Sequence, residues 1–529
     1  MIEKIIDNWL TKSSERSYQL PFCYMLVQEG YTVIHLTRHC GMEFGKDIIA
    51  IDPNKIPCAY QLKDVKGGKY KLRDWKDNID QIYQMVLTPL EHPSVPSHKQ
   101  HRSFLVINGD IEEEVSAAIS LQNLKWERQG EKYKIEVIVK GQLLKMALKN
   151  KDQFIPSELF DFKSLLEFQL NDGVGFLDKE KFAGLIGSII EKEKVTTPEG
   201  KRLVSSAALL CSLALSNYSK LNNHVAVIEG WVIYQAFVLG FAEKKGKRID
   251  TFLDELNLAD TLINFSLLDL ADEINDHSYL LVGDLNQDAF VYKYRVTILM
   301  GLVAYLGIKS RFNESVIVDR KSILQILQRF EVHMDVWGEA AVPFFLNIYW
   351  FYILEGEKDQ AHRIIFLLLN LILNYGSDPV IMLTNVYYSA ESTMLQLLEG
   401  KREANLAIIQ HRGSFVLETI LHLVTKEELK ESVKSFWSLI SKFYFEEFQM
   451  DNAEDFYLWR IAKGKTITKH LSEMKKWSEL FKEANHVIES DIPTTLKNYR
   501  QYIPLFLMVY PHRLNRNLVM WIDQIYVSQ

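Results

Sequence analysis

Cysteine is scarce in this chain. Four residues among 529 (Cys23, Cys40, Cys58 and Cys211), irregularly spaced, exclude a disulfide framework and a paired CxxC zinc site, and they point to a reducing, cytoplasmic compartment. Long apolar runs are missing as well. The two most apolar windows, Ala340 to Leu354 and Ile364 to Leu373, fall short of the roughly 20 residues that cross a bilayer, and the first carries Asn347. Both are expected to be buried helices, with no membrane contact. The opening stretch from Met1 to Ser17 scatters charges among its apolar positions and lacks the apolar core and cleavage site of a secretion signal. The chain has no GxxxxGK[ST] loop, no GxSxG elbow and no GxGxxG fingerprint, which argues against ATP hydrolysis and serine hydrolase chemistry. An overall positive charge is also absent, because 61 Lys and Arg stand against 68 Asp and Glu for a net −7.

What remains is ordinary globular material, 47% hydrophobic and 24% charged, in a chain too long for one domain of usual size. Charge is uneven along it. Residues 1–150 hold 21 Lys and Arg against 19 Asp and Glu, a balance of +2, which leaves 40 against 49, or −9, for residues 151–529. Contact with a polyanion is therefore expected in the first segment.

Residues 1–150 alternate helix and strand patterns. Apolar positions at helical spacing run from Ser14 to Glu29, with Pro21 in an early turn or at a kink and Gly30 as the stop. Strands are expected at Tyr31 to Leu36, Asp47 to Ile51 and Pro57 to Lys63, with Asp52-Pro53-Asn54 as a turn between the last two. A helix from Leu72 to Val86, a strand from Phe104 to Asn108, a helix from Ile111 to Leu121 and a strand from Ile135 to Val139 complete an α/β pattern. Beyond the polar stretch Lys149 to Asp152 strand signals nearly vanish. Helical periodicity recurs at Leu203 to Leu215, Trp231 to Lys244, Val296 to Leu306, Lys321 to Phe330, Ala361 to Tyr375, Glu391 to Leu398 and Glu431 to Phe445. Pro198-Glu199-Gly200 and Gly376 to Pro379 read as breaks. The expected organisation is an α/β domain over 1–150 and an all-helical domain over 151–529, an irregular bundle or solenoid, with a further division near 190–203.

Chemistry concentrates in Gly45-Lys46-Asp47 and Gln61-Leu62-Lys63. Side chains alternate across a strand, so Gln61 and Lys63 share one face while Tyr60 and Leu62 point to the other. If the two strands pair, Asp47 at the start of one lies beside Gln61 and Lys63 at the end of the other, as solvent-reachable groups at a sheet edge. A carboxylate, an amide oxygen and an ammonium in one place suit metal-assisted phosphodiester hydrolysis. Asp47 and Gln61 supply hard oxygens for Mg²⁺ or Mn²⁺, and Lys63 orients the attacking water or stabilises charge on the phosphate.

The ordered series in residues 14–150 resembles the PD-(D/E)XK nuclease superfamily and, within it, the Mrr-like restriction endonucleases. It comprises a helix ending in Glu29-Gly30-Tyr31, then Gly45-Lys46-Asp47, Gln61-Leu62-Lys63, a helix with Gln81 and Gln84, the strand Phe104 to Gly109, and Ile135 to Leu144. The resemblance implies a restriction-endonuclease-like sheet flanked by helices, a Mg²⁺-dependent endonuclease activity and a role in prokaryotic defence against foreign DNA. Such relatives carry a Glu on the first helix, where this chain has Gln19. Glu15, one turn earlier on the same face, is the substitute metal ligand. The departure keeps alive a second reading, a nuclease-fold module that has lost catalysis and binds nucleic acid or scaffolds a complex. An unrelated α/β head on a helical interaction protein is a third.

Lys66, Lys69, Lys71, Arg73 and Lys76 follow directly and are candidates to bind phosphates flanking the scissile bond. His35, His39 and Cys40 lack a matching second ligand pair and read as structural. The helical segment offers no chemical motif. Its aromatic run from Phe344 to Tyr352 reads as core, and its expected role is to sense an activating protein or ligand or to hold a homodimer or larger oligomer.

Overall fold

The computed structural model of the chain describes residues 2–36, 45–65, 68–90, 95, 100–149, 159–191, 197–274, 285–313, 316–373, 413–440, 444–459, 465–470, 477–484 and 492–527. Its N-terminal part opens with helices α1 (Ile2–Lys12) and α2 (Glu15–Gln28). Ser14 caps α2 by accepting the Ser17 N–H, and Gly30, at φ +86°, ends it in the left-handed conformation that glycine adopts without strain. Strands β1 (Thr32–Leu36), β2 (Ile48–Ile51) and β3 (Pro57–Lys63) follow, then β4 (Lys69–Tyr70), helix α3 (Leu72–Leu87), β5 (Arg102–Ile107) and β6 (Asp110–Ile111). Helix α4 (Glu113–Arg128), β7 (Ile135–Ile138) and helix α5 (Lys140–Lys149) complete this part. Five strands form one mixed sheet in the order β1-β2-β3-β5-β7, antiparallel at β1–β2 and β2–β3 and parallel at β3–β5 and β5–β7. An α/β head with a mixed sheet is thus present as the sequence predicts.

The alternation along β3 sorts its neighbours into two layers. Tyr60 packs its ring on Phe22 of α2 (centroids 5.4 Å apart) and stacks on Phe104 (4.8 Å), while Ala59 joins Trp75, Ile82 and Met85 of α3 on the opposite face. Burial of such side chains contributes roughly 1.5–3 kcal/mol each. The chain enters β2 through Gly45, at φ +72°, where an added Cβ would stand 2.2 Å from the Gln81 carbonyl oxygen. Only glycine lets the strand start so close to α3.

By packing, the chain forms two compact units, residues 1–238 with 250–265, and residues 239–249 with 266–529. The packing division therefore differs from the composition boundary near residue 150. Its cause is α2, which is buried on all sides (Leu20, Phe22, Cys23, Tyr24, Met25 and Leu26 are each at most 3% exposed) and so requires cover beyond the sheet. The helix Thr197–Lys220 packs along α2, and Tyr24 stacks on Trp231 (6.2 Å) while its hydroxyl donates to the Glu255 carbonyl (3.0 Å).

The remainder is mostly helical, and two expectations about it need correction. It is not all-helical, because β8 (Gly413–Ser414), β9 (Tyr444–Gln449) and β10 (Lys465–His470) form a small sheet in the order β10-β9-β8. The helical period of Glu431 to Phe445 accordingly breaks up into short helical turns and the start of β9. Pro198-Glu199-Gly200 does not break a helix but opens one, Thr197–Lys220, since a proline in the first turn loses no hydrogen bond. Glu391 to Leu398 and Gly376 to Pro379 lie outside the described residues. The aromatic run is core, within the helix Val342–Glu355, where Phe345, Tyr349 and Tyr352 are fully buried. Two helical stretches, His224–Lys244 and Val291–Phe312, are long and apolar enough to cross a membrane by length and composition, and 89% and 72% of their most apolar windows are buried within the fold. Neither had stood out among the most apolar windows, because polar residues interrupt both.

Candidate active site

Asp47 precedes β2 in the pairing Ile48↔Tyr60, so the register places it opposite Gln61. Its N–H donates to the Tyr60 carbonyl (2.9 Å) and its Oδ2 accepts the Leu62 N–H (2.6 Å). The second bond turns the carboxylate toward the end of β3, where Lys63 emerges. Asp47 is only 7% exposed. The sequence reading of a solvent-reachable carboxylate is thus corrected: it is held by the backbone inside the edge, and truncating it would cost the roughly 1.5–3 kcal/mol of a charge-assisted hydrogen bond.

Gln61 and Lys63 point the same way, and a single atom of α3 receives both. Gln81 Oε1 accepts from Gln61 Nε2 (3.1 Å) and from Lys63 Nζ (3.3 Å). From the other side, Glu15 Oε1 stands 3.7 Å from Lys63 Nζ and accepts the Asp64 N–H (3.3 Å), while Gln19 Nε2 donates to the Asp47 carbonyl (3.2 Å). All five residues singled out for the site, Glu15, Gln19, Asp47, Gln61 and Lys63, therefore meet at one edge of the sheet. Lys63 keeps access to solvent with its side chain 13% exposed, and Glu15 with 26%.

Three residues that hold this arrangement carry no signal in the sequence as site residues. Gln81 was visible only as part of a helix. Tyr18 places its hydroxyl 3.0 Å from the Lys63 carbonyl and 3.2 Å from the Val106 carbonyl, and that hydroxyl accepts the Lys63 N–H (3.1 Å). Burial, reinforced by nearby Glu15, raises the phenol well above its ordinary pKa and keeps it neutral. Asn108 accepts the Val65 N–H (2.9 Å) and donates to the carbonyls of Leu10 (3.0 Å) and Ser13 (2.7 Å), tying the end of β3 to α1.

For a divalent cation the donors are the Asp47 carboxylate and the Gln61 amide oxygen. Gln61 Oε1 is buried without a hydrogen-bond partner among the described residues. A buried oxygen in that state costs about 1–3 kcal/mol unless a donor or cation reaches it. Two hard oxygens suit Mg²⁺ when substrate phosphate and water complete its shell. Among the described residues no group of three or more His, Cys, Asp or Glu stands ready to hold a metal unaided.

Of the predicted phosphate contacts, Lys69, Lys71, Arg73 and Lys76 are exposed, on β4 and around the first turn of α3. Arg73 pairs with Asp77 (3.7 Å) one turn on. Lys66 lies outside the described residues, as do His39 and Cys40, while His35 sits on β1 as the strand pattern requires. Comparison of the chain with protein-family models, with curated proteins and with solved structures gives no match in any of the three.

Proposed function

We propose that the chain is a metal-dependent nuclease that hydrolyses phosphodiester bonds of nucleic acid, DNA being the favoured substrate. Defence of a prokaryotic cell against foreign DNA is the role that its resemblance to Mrr-like endonucleases implies. The observation that carries the reading is the meeting of Asp47, Gln61 and Lys63 at one sheet edge, with Glu15 and Gln19 beside them. In this reading Asp47 and Gln61 hold Mg²⁺ or Mn²⁺, and Glu15 is the further candidate ligand. A bound ion of this kind lowers the pKa of its water and polarises the phosphate. Lys63 places its ammonium against the attacking water and the charge that develops on the phosphate, while Gln81 and Glu15 hold that ammonium and Tyr18 fixes its backbone. Lys69, Lys71, Arg73 and Lys76 take the flanking phosphates. A cut through both strands is served by a two-fold dimer presenting two sites, and the helical region is the place for an activating protein or ligand.

The test is plasmid cleavage by the full chain with Mg²⁺ or Mn²⁺. Cleavage should vanish with a chelator, with Asp47→Asn and with Lys63→Ala, and unaltered cleavage in either variant refutes the site. One observation favours the second reading, a module that binds without cutting. Gln19 donates an N–H into the place where a carboxylate would add a ligand oxygen. Duplex binding that weakens steeply with salt (a slope near −3.6 for about four phosphate contacts), without cleavage under any divalent ion, decides for that reading.

A further inference from the structure

Helix α4 buries one face against the N-terminal sheet and leaves the other bare. Val115, Ile119 and Trp126 are at most 6% exposed and join the core with Ala59 and Leu105, and Tyr83 of α3 packs edge-on to Trp126 (centroids 5.7 Å apart). On the opposite side Glu114, Ala117, Leu121, Leu124, Lys125 and Arg128 are all exposed. At about 100° per residue they fall within an arc of about 100°. Leu121, at 68%, is the most exposed large apolar side chain among the described residues of 1–149, and Leu124, at 40%, stands about one turn further along the same face. The neighbouring helix carries no such strip, since the exposed residues of α3 from Lys71 to Gln84 are all polar.

Charge gives this strip a direction. The first turn of α4 is acidic, with Glu113 and Glu114, and the last is basic, with Lys125 and Arg128. Glu114 and Arg128 stand about 21 Å apart along the axis, so one helix cannot pair them with each other. A strip that is acidic at one end, apolar in the middle and basic at the other is complementary to itself run backwards. We propose that α4 is a homodimer interface, on which a second copy of this chain lays its own α4 antiparallel across a two-fold axis. With the axis at Leu121, that leucine meets its own copy, Leu124 meets the small Ala117 and Ala118, and Glu114 of each copy faces Arg128 of the other, with the two helix dipoles opposed. One pair of four-turn helices buries less than the roughly 1,200–2,000 Å² of a stable complex, so the dimer is weak and forms with rising concentration. The pairing stands on this surface alone, whereas its use in cutting both strands rests on the nuclease reading. Lys63 pairs with Ile107 at the ends of β3 and β5, and α4 starts just beyond, so the two candidate sites lie at opposite ends of the helix pair.

The experiment is analytical ultracentrifugation of the full chain at low salt, from about 1 to 200 µM, the range in which a weak dimer forms. The mass should rise toward that of two chains. Leu121→Glu/Leu124→Glu should hold the chain monomeric with an unchanged melting temperature, because both side chains are exposed. Glu114→Arg and Arg128→Glu should each weaken the dimer about tenfold or more by setting like charges against each other, and the double reversal Glu114→Arg/Arg128→Glu should restore it to within about threefold. Only a contact between these two residues of different copies gives that rescue. A chain that stays monomeric throughout leaves the face to a different protein partner and overturns the proposal. So does a dimer that survives Leu121→Glu/Leu124→Glu, or a double reversal that associates no better than the single ones. Sedimentation reads the pairing whatever the cleavage assay shows, so a dimer that never cuts a plasmid with any divalent ion refutes the nuclease reading and leaves this one standing. On the nuclease reading, Leu121→Glu/Leu124→Glu should still nick the plasmid but linearise it at least tenfold more slowly.

Discussion

The edge of the N-terminal sheet and the helical core of the second unit each gather a carboxylate, a cation and neutral donors, and they differ in closure. In the second unit, Asp523 of the helix Arg516–Val527 accepts the Trp350 indole N–H on Oδ1 (2.7 Å) and His422 Nε2 on Oδ2 (2.7 Å), with Lys426 Nζ 3.1 Å away. The aspartate is 4% exposed and both its oxygens are engaged. At the sheet edge Gln61 Oε1 lacks a partner among the described residues and Lys63 reaches solvent. A carboxylate with both oxygens engaged ties elements together, although His422 Nδ1 beside it is buried without a partner among the described residues. At the edge the open acceptor is an oxygen beside a carboxylate and an ammonium, which is why the edge, and not the cluster whose carboxylate is spent on three donors, is the candidate for chemistry.

The sharpest way to break this comparison exchanges the expected phenotypes. Asp523→Ala strands the buried His422 and takes the partner from Lys426, whose side chain is 22% exposed, and should cost about 3–5 kcal/mol in urea unfolding, with the specific activity of the folded protein unchanged. Lys63→Ala should do the reverse, lowering cleavage about 10²–10³-fold while shifting stability by no more than about 1 kcal/mol, since Gln81 is exposed and Glu15 stands at a long 3.7 Å. The aspartate also fixes a pH limit. Burial pushes its pKa up, but Lys426, His422 and the Trp350 indole outweigh burial and hold it below the ordinary aspartate range. Its stabilisation is therefore present above the unfolded value near 3.9 and lost as pH falls through the lower folded one, so wild type and Asp523→Asn should converge in acid.

Within the first unit, Glu255 shows what an unsaturated carboxyl does when no solvent reaches it. It is fully buried, Ser205 donates to its Oε1 (3.3 Å), and Oε2 has no partner among the described residues. Burial is the main cause that pushes its pKa up to about 7. Because the folded value lies above the unfolded one near 4.5, its contribution is fully present below about pH 4.5 and is lost as pH rises through 7. The whole loss is about 3 kcal/mol. Glu255→Gln should remove that slope and exceed wild type at pH 8, read by chemical unfolding at pH 5, 7 and 8. A parallel pair of pH curves would show that the carboxyl ionises without penalty, and that closure alone does not separate the clusters.

Much of the edge was legible because it rests on local rules. A period of two puts Gln61 and Lys63 on one face, and an antiparallel partner one register step away brings Asp47 opposite. Gly45 and Gly30 carry their backbone requirement in their residue type. Tyr18, Gln81 and Asn108 were not legible as site residues because their contacts span 18 to 98 residues of sequence and depend on how helices settle on the sheet. The packing division escaped for the same reason. Nothing local in α2 says that its second face is covered by a helix starting at Thr197. The small sheet was hidden because the apolar spacing of the helical turns up to Ile440 carries on in the sequence of β9, Tyr444–Gln449.

The smallest expected effect sharpens the comparison at one atom. From the sequence alone, Gln19→Glu adds a ligand carboxylate and leaves activity unchanged or higher. In the fold, Gln19 is 4% exposed and its amide N–H serves the Asp47 carbonyl. A glutamate there loses that donor and sets an anion against a carbonyl oxygen and beside Asp47, so without metal the variant should be less stable than wild type by about 1–3 kcal/mol. A cation reverses the sign, because three oxygens then converge where one carboxylate and an amide did before. Thermal melts with and without Mn²⁺ should therefore separate, the ion raising the melting temperature of Gln19→Glu more than that of wild type. Glu15→Ala provides the complement. If Glu15 serves as the third ligand its loss weakens the Mn²⁺ effect, whereas if it only holds Lys63 the Mn²⁺ effect stays and cleavage alone falls. Equal Mn²⁺ shifts in wild type, Gln19→Glu and Glu15→Ala would remove both α2 positions from the metal site and leave Asp47 and Gln61 as its protein donors.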